Sequence, residues 1–189
     1  ARQLRSAHFL RADSECWFLV NEGNTDLHTT ITLPTTKKVG QYDLWSGKAF
    51  RAQAQDFVLN LPSRSSLLLF TCEDADFAAL PVQPEPLLLP LPEFTLKKAD
   101  GIQVKKTYTA EMECSEEQAS AEYPLLEINA EEMAELWVNG KFAGVSFWNK
   151  HRFNLKGLLH PGSNAFKLVV TGSLANRYGK RAVPYGLNL

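Results

Sequence analysis

Apolar positions in the first part of the chain fall in short runs separated by turn residues. His8-Phe9-Leu10 and Cys16-Trp17-Phe18-Leu19-Val20 flank a polar stretch whose Asp13-Ser14 pair suits a turn, and Leu27 to Leu33 alternates as Leu-x-Thr-x-Ile-x-Leu. Gly40 to Leu44 and Phe57-Val58-Leu59 supply two further strands, and Ser66-Leu67-Leu68-Leu69-Phe70 reads as a strand buried on both faces. No long amphipathic helix is visible here. One strand about every 8 to 12 residues, with turns between, predicts a sandwich.

The pattern resumes after residue 94. Strands are predicted at Ile102 to Tyr108, Leu125 to Ile128, Glu135 to Val138, Gly144 to Trp148, Arg152 to Leu155 and Ala165 to Val170. One acidic stretch, Ser115 to Ala121, opens on Ser115-Glu116-Glu117-Gln118, the spacing of a capping box, and predicts a short helix. Between the two series lies PVQPEPLLLPLPEF, residues 81–94, with five of the chain's ten prolines. Proline fixes φ and removes a backbone donor, so this stretch is expected to run extended, as a linker or a loosely adherent edge. The predicted organisation is a small β-sandwich over 1–80, a linker over 81–94 and a second sandwich over 95–189.

ELWVNGKFAGVSFW, residues 135–148, is the sharpest local signal. Asn139-Gly140 suits a type I′ turn, which needs φ > 0 at both central positions. In the incoming strand Ala134, Leu136 and Val138 share one face, leaving Glu135 and Trp137 on the other.

Composition narrows the partners. A net charge of −1 over 189 residues gives no electrostatic reason to expect nucleic acid or an anionic membrane. No apolar run approaches the roughly 20 residues of a spanning helix, so no membrane insertion is expected. Cys16, Cys72 and Cys114 are odd in number and widely spaced, which predicts free, mostly buried thiols rather than a disulfide framework or a zinc site. The chain begins at Ala1 without a signal-like segment, as a processed product or a piece of a longer protein would, and leaves localisation open.

Beyond the hairpin come Gly144, Phe153-Asn154-Leu155, Leu158-Leu159 and Gly162-Ser163-Asn164, then Phe166, Leu168 and Val170 in alternation. With Val138-Asn139-Gly140 in front, this order and spacing resemble the galactose-binding-like, sugar-binding jelly roll of family 2 glycoside hydrolases and large rhamnosidase-like enzymes. The resemblance covers roughly residues 95–189. Residues 1–80 carry a fainter one: WFLVNEGN, the turn Asp43-Leu44-Trp45-Ser46-Gly47 and the Pro-Ser-loaded turn entering LLLF look like the small sandwich that follows the catalytic barrel in such hydrolases. The resemblance implies an all-β fold, the C-terminal region of a bacterial glycoside hydrolase, and secretion or a periplasmic location. No catalytic barrel is present in these residues. Phe153 and Leu155 are expected in the core, and Asn164 is expected to tie its loop backbone.

Local motifs for chemistry are missing. There is no GxSxG elbow, phosphate-binding glycine loop or HExxH, and the four histidines are scattered. Glycoside hydrolysis needs two carboxylates about 5–10 Å apart across the bond. Glu111, Glu113, Glu116, Glu117, Glu131, Glu132 and Glu135 instead cluster in runs that read as a solvated face. No cofactor is expected, and a structural calcium ion held by backbone carbonyls stays open.

Sugar binding asks for a flat aromatic face with polar groups around it. Trp148, Asn149, His151 and Arg152 hold that mixture within five residues, and Arg177, Tyr178 and Tyr185 supply a second one near the end of the chain. These are the candidate carbohydrate-binding residues. Trp148 could equally cap the core, and Trp45 could simply pack its own turn. The function expected is a non-catalytic accessory region with a carbohydrate-binding sandwich, whose partners are carbohydrate or neighbouring domains. The alternative is a purely structural or protein-interaction module without sugar binding. A complete small glycosidase ranks third, for want of an acid pair around a cleft.

Overall fold

The computed structural model describes the chain apart from residues 1–2, 45–46, 53–55, 102–103, 148–149, 174, 176–177, 180–184 and 188–189, and the side chain of Phe57. It is all-β with short helices, and divides into two compact units, Ala1–Gln83 and Pro84–Leu189.

The first unit holds β1 (Leu4–Leu10), β2 (Glu15–Asn21), β3 (Leu27–Thr32), β4 (Lys38–Asp43), β5 (Lys48–Arg51), β6 (Asp56–Leu61), β7 (Ser66–Cys72) and a short helix α1 (Asp74–Ala79). Five strands pair in the order β1-β2-β7-β4-β5, and β3 pairs with β6 in a two-stranded sheet. Trp17, Leu19, Val39 and Leu69 from the larger sheet meet Leu27, Leu59 and Leu61 from the smaller one in a single core. The interior is apolar enough that Asn21, fully buried, must satisfy its own amide. Its Nδ2 donates to the carbonyls of Thr25 (2.9 Å), Leu61 (2.9 Å) and Pro62 (3.0 Å), and its Oδ1 accepts from Gly23 N at 3.0 Å. One side chain thus joins the turn after β2 to the end of β6.

Two expectations for this unit change. Leu67, Leu68 and Phe70 are only half-buried while Leu69 is fully buried, so β7 packs on one face and not on both. The reason is that β3 and β6 supply a single covering layer. Helix α1 is an addition, too short at six residues to show a helical period in the sequence. Its Phe77 ring lies beneath Lys38 and Arg51, 5.9 and 5.6 Å from the cationic groups. Trp45 lies outside the described residues.

The second unit contains β8 (Leu87–Leu88), β9 (Thr95–Asp100), β10 (Lys105–Cys114), α2 (Glu116–Ser120), β11 (Pro124–Ile128), β12 (Ala130–Glu131), β13 (Met133–Val138), β14 (Lys141–Ser146), β15 (His151–Asn154), β16 (Gly162–Thr171) and β17 (Gly186–Leu187). A five-stranded sheet, β14-β13-β16-β10-β9, faces a three-stranded one, β15-β11-β8, and β12 pairs with β17. Leu126, Ile128 and Phe153 from the smaller sheet, with Leu155 just after β15, interleave with Leu136, Val138, Phe166, Leu168 and Val170 from the larger, nearly all fully buried. Burying each such side chain contributes about 1.5–3 kcal/mol.

Part of the proline-rich stretch belongs to this sandwich. Leu87 and Leu88 run parallel to Pro124 and Leu125 as an edge strand, where proline's missing donor is tolerated, and Leu89 and Phe94 enter the core. Further along, the strand expected over Ile102 to Tyr108 is found from Lys105 as β10, which runs on to Cys114, and a strand that was not expected, β9, pairs beside it. β9 is an exposed polar edge, so no apolar alternation could mark it. The expected helix is present as α2: Ser115 Oγ accepts from Gln118 N (3.1 Å) while Gln118 Oε1 accepts from Ser115 N (2.9 Å). Cys114 is a buried thiol, and Cys16 and Cys72 are half-buried ones.

The hairpin forms as its residues dictate. Asn139 and Gly140 have φ of 51° and 77°, and Ala134, Leu136 and Val138 are fully buried. The asparagine also does more than turn the chain. Its Nδ2 donates to Leu158 O (3.0 Å) and to Asn164 Oδ1 (2.8 Å), and its Oδ1 accepts from Ala165 N at 2.9 Å. Asn164, fully buried, closes the network: Nδ2 donates to His160 O (2.7 Å) and Gly162 O (2.8 Å), and Oδ1 accepts from His160 N at 3.0 Å. Two coupled amides therefore pin the Leu158–Gly162 loop to the hairpin.

Candidate functional site

At the end of the larger sheet where β13 begins and β14 and β16 finish, the chain changes direction three times. Between β12 and β13, Glu132 takes φ of 69°, a left-handed conformation uncommon for a residue with a side chain. β14 ends at Ser146, leaving Phe147 more than half exposed, and β16 ends at Thr171 before Gly172 and Ser173. These six positions, Glu132, Met133, Phe147, Thr171, Gly172 and Ser173, line an open depression of about 400 Å³. Thr171 Oγ1 is buried and finds no hydrogen-bond partner among the described residues.

His151 lies beneath this corner, fully buried. Its Nε2 is 2.9 Å from Ala130 O and its Nδ1 is 2.8 Å from Ser146 Oγ. A carbonyl can only accept, so Nε2 carries the proton and Nδ1 accepts from the Ser146 hydroxyl. Burial pushes its pKa below the usual histidine value, against the raising influence of the Ala130 carbonyl, Glu131 and the Glu132 backbone. A neutral imidazole therefore joins β12, β14 and β15 under the depression. Both ring nitrogens are engaged, so the ring supports the surface above it and offers no free edge to a ligand.

Arg152 faces the other way. It sits opposite Glu127 in the β11–β15 register and its Nε donates to Glu127 Oε1 at 2.5 Å, with both side chains partly exposed. Tyr185 is half-buried and held by Lys106, whose Nζ donates to Tyr185 O (2.8 Å) and lies 4.5 Å from the centre of its ring. The following strand, β17, pairs with Ala130 and Glu131, and Leu187 N donates to Tyr108 Oη at 3.3 Å. Tyr185 thus begins a strap that fastens the chain's end beside β12. Tyr178 is 71% exposed. Trp148, Asn149 and Arg177 lie outside the described residues.

The acidic runs divide. Glu111, Glu113, Glu116 and Glu117 are exposed, as a solvated face requires, whereas Glu131, Glu132 and Glu135 are half-buried around β12 and β13. Sequence reading missed Phe147, Met133 and Thr171. Phe147 was within reach, since it adjoins Trp148, but Thr171 becomes visible only when β16 is paired with Met133 of β13. A second aromatic group lies on the sheet's outer face: Trp137 and Phe142 stand 5.2 Å apart, and Lys167 Nζ covers the Trp137 ring at 4.2 Å. That lysine occupies the ring face a sugar would use.

No family model matches the sequence, and no curated protein matches it. Among solved structures, the chain is similar to part of a rhamnosidase from Novosphingobium sp. PP1Y, with a TM-score of 0.65 and 15% identity over 92% of this chain and 20% of that one. It also matches an α-L-rhamnosidase from Dictyoglumus thermophilum, at 8% identity over 96% of this chain and 26% of that one, with a TM-score of 0.36. The second score is too low to carry weight. The chain spans about a fifth of the length of the first neighbour, and at such identity the likeness concerns the fold alone.

Proposed function

We propose that this chain is a non-catalytic accessory region of a glycoside hydrolase, and that its second unit is a galactose-binding-like jelly roll that binds carbohydrate. The carrying observation is the depression at the end of β13, β14 and β16, where the exposed ring of Phe147 lines an open surface together with the polar residues Glu132 and Ser173. That combination matches what a sugar ring presents, with C–H bonds on its faces and hydroxyls on its edges. Support for the family comes from the Asn139–Asn164 amide pair, which gives a mechanical reason for the Val-Asn-Gly and Gly-x-Asn elements of the resemblance. The neighbouring fold is that of a rhamnosidase, so L-rhamnose and rhamnosides are the first ligands to try.

A second reading, a bracing module that contacts another domain and binds no sugar, is favoured by the engagement of Arg152 with Glu127 and of His151 with Ser146 and Ala130. Titration of the purified chain with a panel of simple sugars and rhamnosides separates the two. Saturable binding supports the accessory carbohydrate-binding module, and no binding across the panel leaves the bracing module. Turnover of aryl glycosides by a clean preparation would overturn the non-catalytic assignment.

A further inference from the structure

Asn139-Gly140 is the one Asn-Gly pair in the chain. A glycine after an asparagine carries no Cβ to shield its backbone nitrogen, so that nitrogen can reach the carbonyl carbon of the preceding side chain. The hairpin turn therefore places a pair able to modify itself at the point where the second unit is pinned together. Asn139 is half-buried and Gly140 exposed. In the folded chain the carboxamide is held away from that reaction. Its Nδ2 donates to Leu158 O (3.0 Å) and Asn164 Oδ1 (2.8 Å), and its Oδ1 accepts from Ala165 N at 2.9 Å. These contacts fix the plane of the amide, and all of them run to the segment from Leu158 to Ala165.

We propose that Asn139 is a guarded deamidation site, whose conversion to a carboxylate irreversibly releases the Leu158–Gly162 loop from the hairpin. The reaction waits for local opening of that loop. The Gly140 nitrogen then gives its proton to a solvent base and attacks Asn139 Cγ. The new C–N bond closes a succinimide ring, and the side-chain nitrogen leaves as ammonia. Water adds to either ring carbonyl and breaks that carbonyl's bond to the Gly140 nitrogen, giving aspartate or isoaspartate; a water is taken up and an ammonia given off. An ionised carboxylate only accepts, so the product sets an acceptor against Leu158 O and Asn164 Oδ1, where the amide had donated. Asn164 cannot turn its own amide over to meet it. Its Nδ2 donates to His160 O (2.7 Å) and Gly162 O (2.8 Å), and its Oδ1 accepts from His160 N at 3.0 Å. Isoaspartate also lengthens the backbone of the turn, and so breaks the register that sets Val138 opposite Lys141. Both products leave the fully buried Asn164 amide facing an unmet charge.

The experiment ages the full chain at mildly alkaline pH and follows position 139 by peptide mapping, through the mass change of an NH-to-O exchange. Deamidation in the folded chain is expected to run at least about tenfold slower than in the same chain unfolded in urea. Asn164→Ala, which removes a partner of Asn139 Nδ2, should speed it about tenfold or more. The comparison of folded with unfolded wild type stands without that variant. Aged wild type, separated by its added charge, should melt about 5 °C lower or more. Its His160 amide, which Asn164 Oδ1 holds, should exchange faster with solvent. Asn139→Asp supplies the aspartate product directly and should show the same two changes. Equal rates in the folded and unfolded chain would overturn the guard. An aged chain that keeps the melting temperature and His160 protection of the fresh one would overturn the release of the loop.

Discussion

Replacing Asn164 by Ala probes the element on which the identity of the second unit depends. The fully buried side chain accepts from His160 N and Asn139 Nδ2 and donates to His160 O and Gly162 O, all between 2.7 and 3.0 Å. His160 is exposed, so water can replace part of what its backbone loses. Asn139 Nδ2 and Gly162 O are less accessible, and each unmet buried group costs about 1–3 kcal/mol. The net loss is therefore about 2–4 kcal/mol, or roughly 10–20 °C in the melting of a domain of about 100 residues. Asn139→Ala removes the other half of the same 2.8 Å contact. The double variant should then cost about 1 kcal/mol less than the sum of the two single ones, since neighbours in one network are coupled. Calorimetric melts of the four proteins measure this directly. A shift below about 3 °C for Asn164→Ala, or strict additivity, would refute the claim that the paired amides hold the loop to the hairpin.

Other expectations follow from the same geometry. The folded state holds His151 neutral with a pKa below the ordinary 6.5, so the unfolded chain binds the extra proton first as pH falls. The second unit should lose stability as pH drops below about 6.5, with the loss levelling off beneath the folded value. Melts between pH 7.5 and 5 should show a slope that His151→Asn removes; an unchanged slope would sink the assignment. Gly140→Ala meets no atom within 4 Å and suffers only from its φ of 77°, so urea unfolding should report a loss of about 1 kcal/mol. Gly186→Ala places a methyl 2.5 Å from Tyr108 Oη, and hydrogen exchange should show β17 released from β12. Leu136→Ala, at a fully buried site, should cost about 2–5 kcal/mol in the same unfolding assay.

What could be read from sequence was what burial writes into it. The alternation through Ala134, Leu136 and Val138 and through Phe166, Leu168 and Val170 announced strands with one face in the core. The Asn-Gly turn and the Ser115 capping box were equally legible, because each needs particular residue types at particular places. β9 was illegible because nearly all of it meets solvent, and α1 because six residues are too few to show a helical period. At the site the limits were different. The stretch 148–152 follows the end of β14, but the distinction between a presented and a buried side chain depends on strand pairing. His151 went inward, Arg152 went to Glu127, and among the described residues here the exposed ring is Phe147, one place before the stretch. Thr171 is twenty residues further along, and only the β13–β16 register brings it beside Met133.

The central claim is that the second unit binds carbohydrate through the depression around Phe147. Calorimetric titration of the full chain with L-rhamnose and neutral hexoses, repeated with Phe147→Ala, tests it most directly. Saturable binding that weakens about tenfold in the variant is the predicted result, and a wild-type chain that binds none of these sugars would contradict the account.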